Sequence, residues 1–99
     1  MELNPVEFDW DQWNMQKNEV KHGVSQEEAE SIFSDPRHCL FRDEKHSTSA
    51  EGRFILLGKS AKSRVLMTAF TIRRSKIRII TVRPASQQER KIYEEEKQK

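Results

Sequence analysis

Residues 76–93 read KIRIITVRPASQQERKIY and contain a predicted strand followed directly by a predicted helix. Residues 76–83 are rich in β-branched Ile, Thr and Val, which favours a strand. Pro84 ends this strand because proline has no N–H with which to continue a central ladder. Ser86 and Glu89 have the spacing of a capping box, in which each residue satisfies a backbone N–H of the other. A helix is therefore expected to begin at Ser86.

Basic side chains and a phenol surround this junction between strand and helix. Thr81 and Arg83 share one face of a regular strand, and strict alternation places Arg78 on the other face. Arg90 and Tyr93 are three residues apart and share a face of the helix. Such a junction can surround a phosphate. Taken singly, however, each of these basic side chains is more typical of a protein surface than of a catalytic site.

The rest of the chain predicts an α+β domain. The element order is β-α-α-β-β-β-β-α, with a mainly antiparallel meander sheet packed by helices. Because the later strands are apolar on both faces, each face needs a cover, and we expect helices on one face and a partner protein on the other. The predicted strands are residues 6–10, 39–42, 53–59, 64–72 and 76–83; helices run from Asp11 to Gly23, from Ser25 (with Glu28 as a second capping box) to Asp35-Pro36, and from Ser86.

Length and composition limit what kind of protein this is. Ninety-nine residues make one small domain, residues 1–99. Since 34% of the residues are hydrophobic and 34% are charged, the core is thin and stabilisation by a partner is expected. No apolar run approaches the roughly 18 residues of a membrane span, and the N-terminus lacks a signal-peptide pattern. We therefore expect a cytoplasmic protein with no membrane partner.

Charge is distributed unevenly along the chain. Residues 1–49 hold 11 acidic and 5 basic side chains, whereas residues 50–99 hold 5 acidic and 13 basic ones. Between Gly52 and Gln88 there are nine lysines or arginines and no acidic residue. This basic stretch predicts either a surface that attracts a polyanion such as nucleic acid, or a solvated sheet face neutralised by the acidic half.

The spacing of the possible ligand residues predicts neither a metal site nor a cofactor site. The residues His22, His38, His46 and Cys39 show none of the CxxC, HxxxH or HExxH spacings that place metal ligands together. The single cysteine also excludes an intramolecular disulfide framework. No glycine-rich phosphate loop and no GxSxG elbow is present. We therefore expect neither a metal nor a cofactor.

A second basic segment, Lys21-His22-Gly23, ends the first predicted helix. Cations are favoured at this position by the helix dipole, so an ordinary cap explains them as well as a functional role does.

A longer set of residues, at consistent spacing over residues 8–93, carries a family resemblance. It comprises Phe8-x-Trp10-Asp11, Asn18, Lys21-His22-Gly23-Val24-Ser25, Glu27-Glu28-Ala29, Phe33-x-Asp35-Pro36, Arg53-Phe54, Gly58, Arg78-Ile79-Ile80-x-x-Arg83-x-Ala85 and Glu89-Arg90-x-x-Tyr93. On these residues the sequence resembles the BrnT toxins, ribonucleases of bacterial type II toxin–antitoxin modules with a fold similar to the RelE toxins. This sequence differs from the usual family pattern at two positions: Asn14 stands where the family usually has lysine, and Thr81 stands where serine is frequent.

The resemblance implies an endoribonuclease that inhibits translation and cleaves RNA without a metal, by attack of the 2′-OH on the neighbouring phosphate. Arginines neutralise the developing charge in such a reaction, and a histidine or lysine takes the first proton. The expected catalytic residues are Arg83, Lys21, His22, Thr81 and Tyr93, and the expected RNA-binding residues are Arg78, Arg90, Arg64 and Arg53.

The resemblance also implies a cognate BrnA-like antitoxin, a ribbon-helix-helix protein that neutralises the toxin and brings it to operator DNA in a bacterial cytoplasm. Two other functions stay open: a non-catalytic RNA-binding module, and a regulatory protein whose arginines only bind the antitoxin. Against the first, the basic stretch has only Phe54 and Phe70 as aromatic residues and no paired aromatics for base stacking.

Overall fold

A four-stranded antiparallel sheet organises the fold in the computed structural model, which describes residues 7–10, 21–45, 47 and 52–97. Each strand pairs with the next one along the chain, so the strand order is β1-β2-β3-β4, and this confirms the predicted α+β class and antiparallel meander. No predicted boundary of these four strands is wrong by more than one residue. The strands are β1 (Cys39–Arg42), β2 (Arg53–Lys59), β3 (Val65–Arg73) and β4 (Lys76–Pro84).

Within the described residues two helices pack on the sheet, and a serine caps each of them. Helix α1 (Gln26–Ser31) continues into a 3-10 turn (Ile32–Ser34), and helix α2 is Gln87–Lys97. In the capping box of α2, the Ser86 hydroxyl accepts from the Glu89 N–H at 3.2 Å, while the Ser86 N–H donates to the Glu89 carboxylate at 2.8 Å.

Only one of the two hydrogen bonds of the predicted capping box forms at α1. The Ser25 hydroxyl accepts from the Glu28 N–H at 3.2 Å, as expected. The Glu28 carboxylate does not return to the cap; it is buried and accepts hydrogen bonds from Ser60 and Arg64 instead. These donors lie on the β2–β3 hairpin, so the carboxylate joins α1 to the sheet.

Helices cover both faces of the sheet, and the prediction of helices on one face only is wrong. On one face α1 and the 3-10 turn bury Ile32 and Phe33 against the sheet. On the other face α2 inserts Tyr93 among side chains of β1, β2 and β3. Because strand side chains alternate, the apolar residues on both faces of β2 and β3 each obtain a cover. The second cluster consists of Cys39, Leu57, Met67 and Tyr93.

The 3-10 turn approaches β2 closely at Gly58. A Cβ atom at this position would lie 2.8 Å from the Ile32 carbonyl oxygen and 3.0 Å from the Ile32 Cβ. A side chain therefore cannot be added there without moving the backbone of the turn, which explains why glycine occupies the penultimate position of β2.

The N-terminal stretch adds to the far edge of the sheet. Phe8 makes an isolated parallel bridge to Ile77, with hydrogen bonds of 2.8 Å from the Asp9 N–H to the Ile77 carbonyl and from the Ile77 N–H to the Glu7 carbonyl. The strand predicted at residues 6–10 is thus a single bridge in the part that the structure describes.

Most of the helix predicted from Asp11 lies outside the described residues, as does Asn14. Lys21 and His22 are helical, and Gly23 has a φ of +64°, the left-handed conformation that ends a helix. No helix within the described ranges is both long and apolar enough to cross a membrane.

A two-residue turn joins β3 to β4. Arg73 pairs with Lys76, and the residues between them, Arg74 and Ser75, have φ of +52° and +66°. Positive φ at both positions is the type I′ geometry, which Asn-Gly adopts most readily. The turn therefore holds an arginine in a backbone conformation that favours smaller residues.

Candidate functional site

A β-bulge in β4 determines which side chains of this strand share a face. Thr81 pairs with Ala69, but the next residue of β3, Phe70, pairs with Ile79. Ile80 is therefore an extra residue in β4, without a partner in the register. One extra residue reverses the alternation of side chains on one side of the bulge relative to the other.

Because of the bulge, Arg78 lies on the same face as Thr81 and Arg83. Arg78 pairs with Thr71 and Arg83 pairs with Met67, two residues of β3 that share a face. The prediction that Arg78 points away from Thr81 and Arg83 is wrong, since it assumed a regular strand. All three polar side chains project from the sheet face on which α2 packs.

Arg53 extends this group across the sheet. It pairs with Thr71, which in turn pairs with Arg78, so the two arginines flank one threonine in a cross-strand row. Arg53 is half-buried and lies 3.6 Å from the Asp43 carboxylate. We call the side chains of Arg53, Arg78, Thr81 and Arg83 the basic face.

Arg83 is held in place by Glu89. Its Nη1 and Nη2 donate to the two carboxylate oxygens at 2.8 and 3.0 Å, and Nη1 also donates to the Pro84 carbonyl at 3.2 Å. Burial opposes ionisation of Glu89, but these bonds and the Ser86 N–H outweigh it and lower its pKa. The Arg83 side chain is still 35% exposed, and its Nε has no acceptor among the described residues. One edge of the guanidinium thus remains available to an anion.

Tyr93 lies in the core and does not reach solvent. The residue is 2% exposed, and its hydroxyl donates to Asp35 Oδ2 at 2.6 Å. Burial and the neighbouring carboxylate both raise the pKa of the phenol. This placement argues against the catalytic role expected for Tyr93 and indicates that its hydroxyl binds α2 to the Asp35 turn.

Arg90 is exposed on α2 and does not share an environment with Tyr93. The carboxylate of the preceding residue, Glu89, binds Arg83. Arg90 is thus placed to contact a ligand from the solvent side of the helix but does not form a pocket with Tyr93.

Arg64 has a structural partner that sequence reasoning missed. Its Nε and Nη2 donate to the two Glu28 oxygens, both at 2.7 Å, and Nη2 also donates to the Gly23 carbonyl at 2.9 Å. The Glu28 side chain is only 1% exposed, and its pKa is lowered, chiefly by Arg64. Because the two residues are 36 positions apart, no local spacing could indicate the pair.

The bond to the Gly23 carbonyl links Arg64 to the segment that directly follows Lys21 and His22. Lys21 is exposed and His22 is half-buried, and both precede the residue that Arg64 holds. Arg64 lies just before β3 on the α1 side of the sheet, whereas Arg83 lies on the α2 side. Since the start of β3 pairs with the end of β4, the two groups occupy the same end of the sheet on opposite faces.

Two comparisons with known proteins identify the family. A family model described as the ribonuclease toxin BrnT of type II toxin–antitoxin systems matches residues 10–89. The crystal structure of the Brucella abortus ribonuclease toxin BrnT is similar, with a TM-score of 0.60 and 25% sequence identity over 83% of this chain and 99% of that chain. A comparison with curated proteins gave no significant match. The match at residues 10–89 confirms the resemblance read from the sequence, and this chain belongs to the BrnT family of type II toxin–antitoxin ribonuclease toxins.

Proposed function

We propose that this protein is an endoribonuclease toxin that cleaves RNA through attack of a 2′-OH on the adjacent phosphate and thereby inhibits translation. The observation that supports this most directly is the basic face, where the bulge at Ile80 puts Arg78, Thr81 and Arg83 on one side of the sheet. Family membership supports the class of reaction. The expected likeness to the RelE fold belongs to this proposal too, because the first predicted helix lies largely outside the described residues.

Arg83 is the leading candidate for stabilising the transition state. Cleavage by a 2′-OH builds negative charge on the phosphate, and a guanidinium fixed in advance stabilises such charge without rearranging. Glu89 holds Arg83 by one edge, which leaves Nε and part of Nη2 for the phosphate oxygens. Loss of one well-placed donor from a site of this type raises the barrier by about 3–4 kcal/mol.

Lys21 and His22 are the candidates for removing the proton from the 2′-OH. An imidazole accepts a proton readily near neutral pH. Lys21 and His22 lie at the same end of the sheet as Arg83 but on the opposite face, so this role requires that the RNA passes around that end of the sheet. The Thr81 hydroxyl lies between Arg78 and Arg83 on the basic face. In this proposal Arg53, Arg78 and Arg90 bind the RNA backbone, whereas Arg64 and Tyr93 position the elements that carry the site.

No metal has a role in this mechanism, because the arginines supply the positive charge that a metal ion otherwise provides. The test is cleavage of a defined RNA in the presence of EDTA, with analysis of the product ends. We expect a 2′,3′-cyclic phosphate and no cleavage when the scissile nucleotide carries a 2′-O-methyl group. Cleavage that disappears with EDTA and returns with Mg²⁺ would contradict the proposal.

The same assay separates the competing functions. A gel shift of RNA without cleavage would favour a non-catalytic RNA-binding module. Neither a shift nor cleavage would favour a regulatory protein that binds only its antitoxin.

We further propose that a BrnA-like ribbon-helix-helix antitoxin binds this toxin, blocks it and links it to operator DNA. Membership of a toxin–antitoxin family supports a protein partner, and the thin hydrophobic core is consistent with one. Co-expression with the neighbouring gene product should give a single gel-filtration peak and relieve growth arrest. Separate elution of the two proteins would contradict this.

A further inference from the structure

Next to Arg78 of the basic face, the β3–β4 hairpin carries three further cations, Arg73, Arg74 and Lys76, that have no role in the proposed function. A cavity of about 310 Å³ opens beside it, and its lining includes a single acidic residue. We call this group the hairpin cluster. The lining residues are Asp9, Arg73, Arg74, Lys76 and Arg78.

The hairpin cluster continues the basic face along β4. Arg73 and Lys76 form the last pair of the hairpin, two positions along the strands from the Thr71–Arg78 pair, and so lie on the same face. From Lys76 to Arg83 the strand spans roughly 20 Å at about 3.3 Å per residue. A single phosphate cannot reach both ends of this stretch, whereas a polymeric anion can.

The conformation of Arg74 is an independent indication that this arginine has a role beyond the turn. It is exposed, and its φ of +52° is a conformation that glycine and asparagine adopt more easily. Unfavourable backbone conformations are found most often where function requires a particular side chain. Neither Arg74 nor Lys76 has a carboxylate partner among the described residues.

We propose that the hairpin cluster is a second phosphate-binding subsite, which holds the backbone of the RNA substrate away from the bond that is cleaved. Contacts from arginine and lysine to phosphate carry no base information, so the subsite adds affinity without adding sequence preference. The choice of RNA as the ligand rests on the proposed function, but the subsite can be tested without any cleavage.

The test measures binding of a fully 2′-O-methylated, single-stranded RNA by fluorescence anisotropy over a range of salt concentrations. The variant is R74N/K76Q, which removes two cations while asparagine keeps the turn geometry. We expect several-fold weaker binding at low salt. The slope of log K against log salt should fall by about 0.7 for each phosphate that the variant no longer neutralises. The matched control is K45Q/K91Q, which also removes two exposed cations, one from the loop after β1 and one from α2.

Each outcome decides the proposal. A larger loss of affinity and of slope in R74N/K76Q than in K45Q/K91Q supports it. Equal affinity and slope in the two variants overturn it, as does unchanged RNA binding combined with weakened binding of the antitoxin. If the wild-type protein binds this RNA but cleaves no natural RNA, the nuclease proposal is contradicted, whereas the subsite is still judged by the binding of the two variants. If R74N/K76Q cleaves and binds like the wild type, only the subsite falls.

Discussion

Single side chains decide which arginines are available to RNA. Arg64 gives its Nε and both hydrogens of Nη2 to Glu28 and Gly23, so no bidentate edge remains. Arg83 binds Glu89 through Nη1 and Nη2 and keeps its Nε edge. Both arginines are paired with a carboxylate, yet only Arg83 retains the geometry for a forked contact with phosphate. Whether a paired arginine can still bind phosphate therefore depends on which of its nitrogens the carboxylate occupies.

Replacing Tyr93 with phenylalanine tests whether the phenol is structural. We expect Y93F to lower the free energy of unfolding by about 2 kcal/mol, because Asp35 loses a hydrogen bond to a charged group. RNA cleavage should stay within about twofold of wild type, a barrier change of about 0.4 kcal/mol. Urea denaturation and single-turnover cleavage measure the two effects. A large loss of cleavage in a variant of unchanged stability would restore Tyr93 as a catalytic residue.

At the scale of elements, the β3–β4 turn is a point where stability and the proposed binding role oppose each other. The double variant R74N/S75G should raise the free energy of unfolding by about 1 kcal/mol, since Asn-Gly is the preferred type I′ sequence and L-residues are strained at positive φ. Urea unfolding of the variant and the wild type gives the difference. Lower stability in R74N/S75G would show that the arginine makes contacts which outweigh the backbone strain.

The strands and the α2 cap could be predicted because their signals are local. Runs of β-branched residues, Pro84 and the Ser86–Glu89 spacing are each contained within a few positions. The bulge is not predicted by local signals, although the sequence contains a sign of it. The apolar residues alternate at the odd positions 77 and 79 and then at the even positions 80 and 82. This switch from odd to even positions at Ile79–Ile80 indicates an extra residue only when the pairing with β3 is known.

The contacts that shape the site could not be predicted from one sequence. Arg64 and Glu28 are 36 positions apart, and Tyr93 and Asp35 are 58 apart. Such pairs form because the sheet places α1 and α2 on opposite faces, and hydrophobic periodicity does not indicate which face each helix takes. Sequence reasoning therefore found the arginines but not the carboxylates that hold two of them.

For the whole molecule, three carboxylates link the helices to the sheet. Glu28 joins α1 to the β2–β3 hairpin, Glu89 joins α2 to β4, and Asp35 accepts from Tyr93 of α2 and from the Lys59 N–H of β2. Hydrogen bonds to all three lower their pKa values, in each case against the opposing effect of burial. Each carboxylate therefore stabilises the fold in its ionised form.

Stability should consequently fall in acid. A folded-state pKa below the unfolded value means that unfolding takes up a proton, so the stabilisation is complete above about pH 4.5 for a glutamate and is lost as pH falls through the lowered folded pKa. E28Q should be less stable than wild type at pH 7 but lose less stability between pH 4.5 and pH 3. Urea unfolding at several pH values measures this. Parallel curves for the two proteins would contradict the contribution of Glu28.

The central claim is that Arg83 on the basic face stabilises the scissile phosphate. Two variants break the same ion pair: R83A removes the guanidinium, whereas E89Q keeps it. The most direct measurement is the single-turnover rate of RNA cleavage in EDTA by both variants, with their folding checked by urea unfolding. We expect R83A to lose about 10²–10³-fold in rate and E89Q to stay within about tenfold of wild type. Cleavage by folded R83A as fast as by E89Q would contradict the claim.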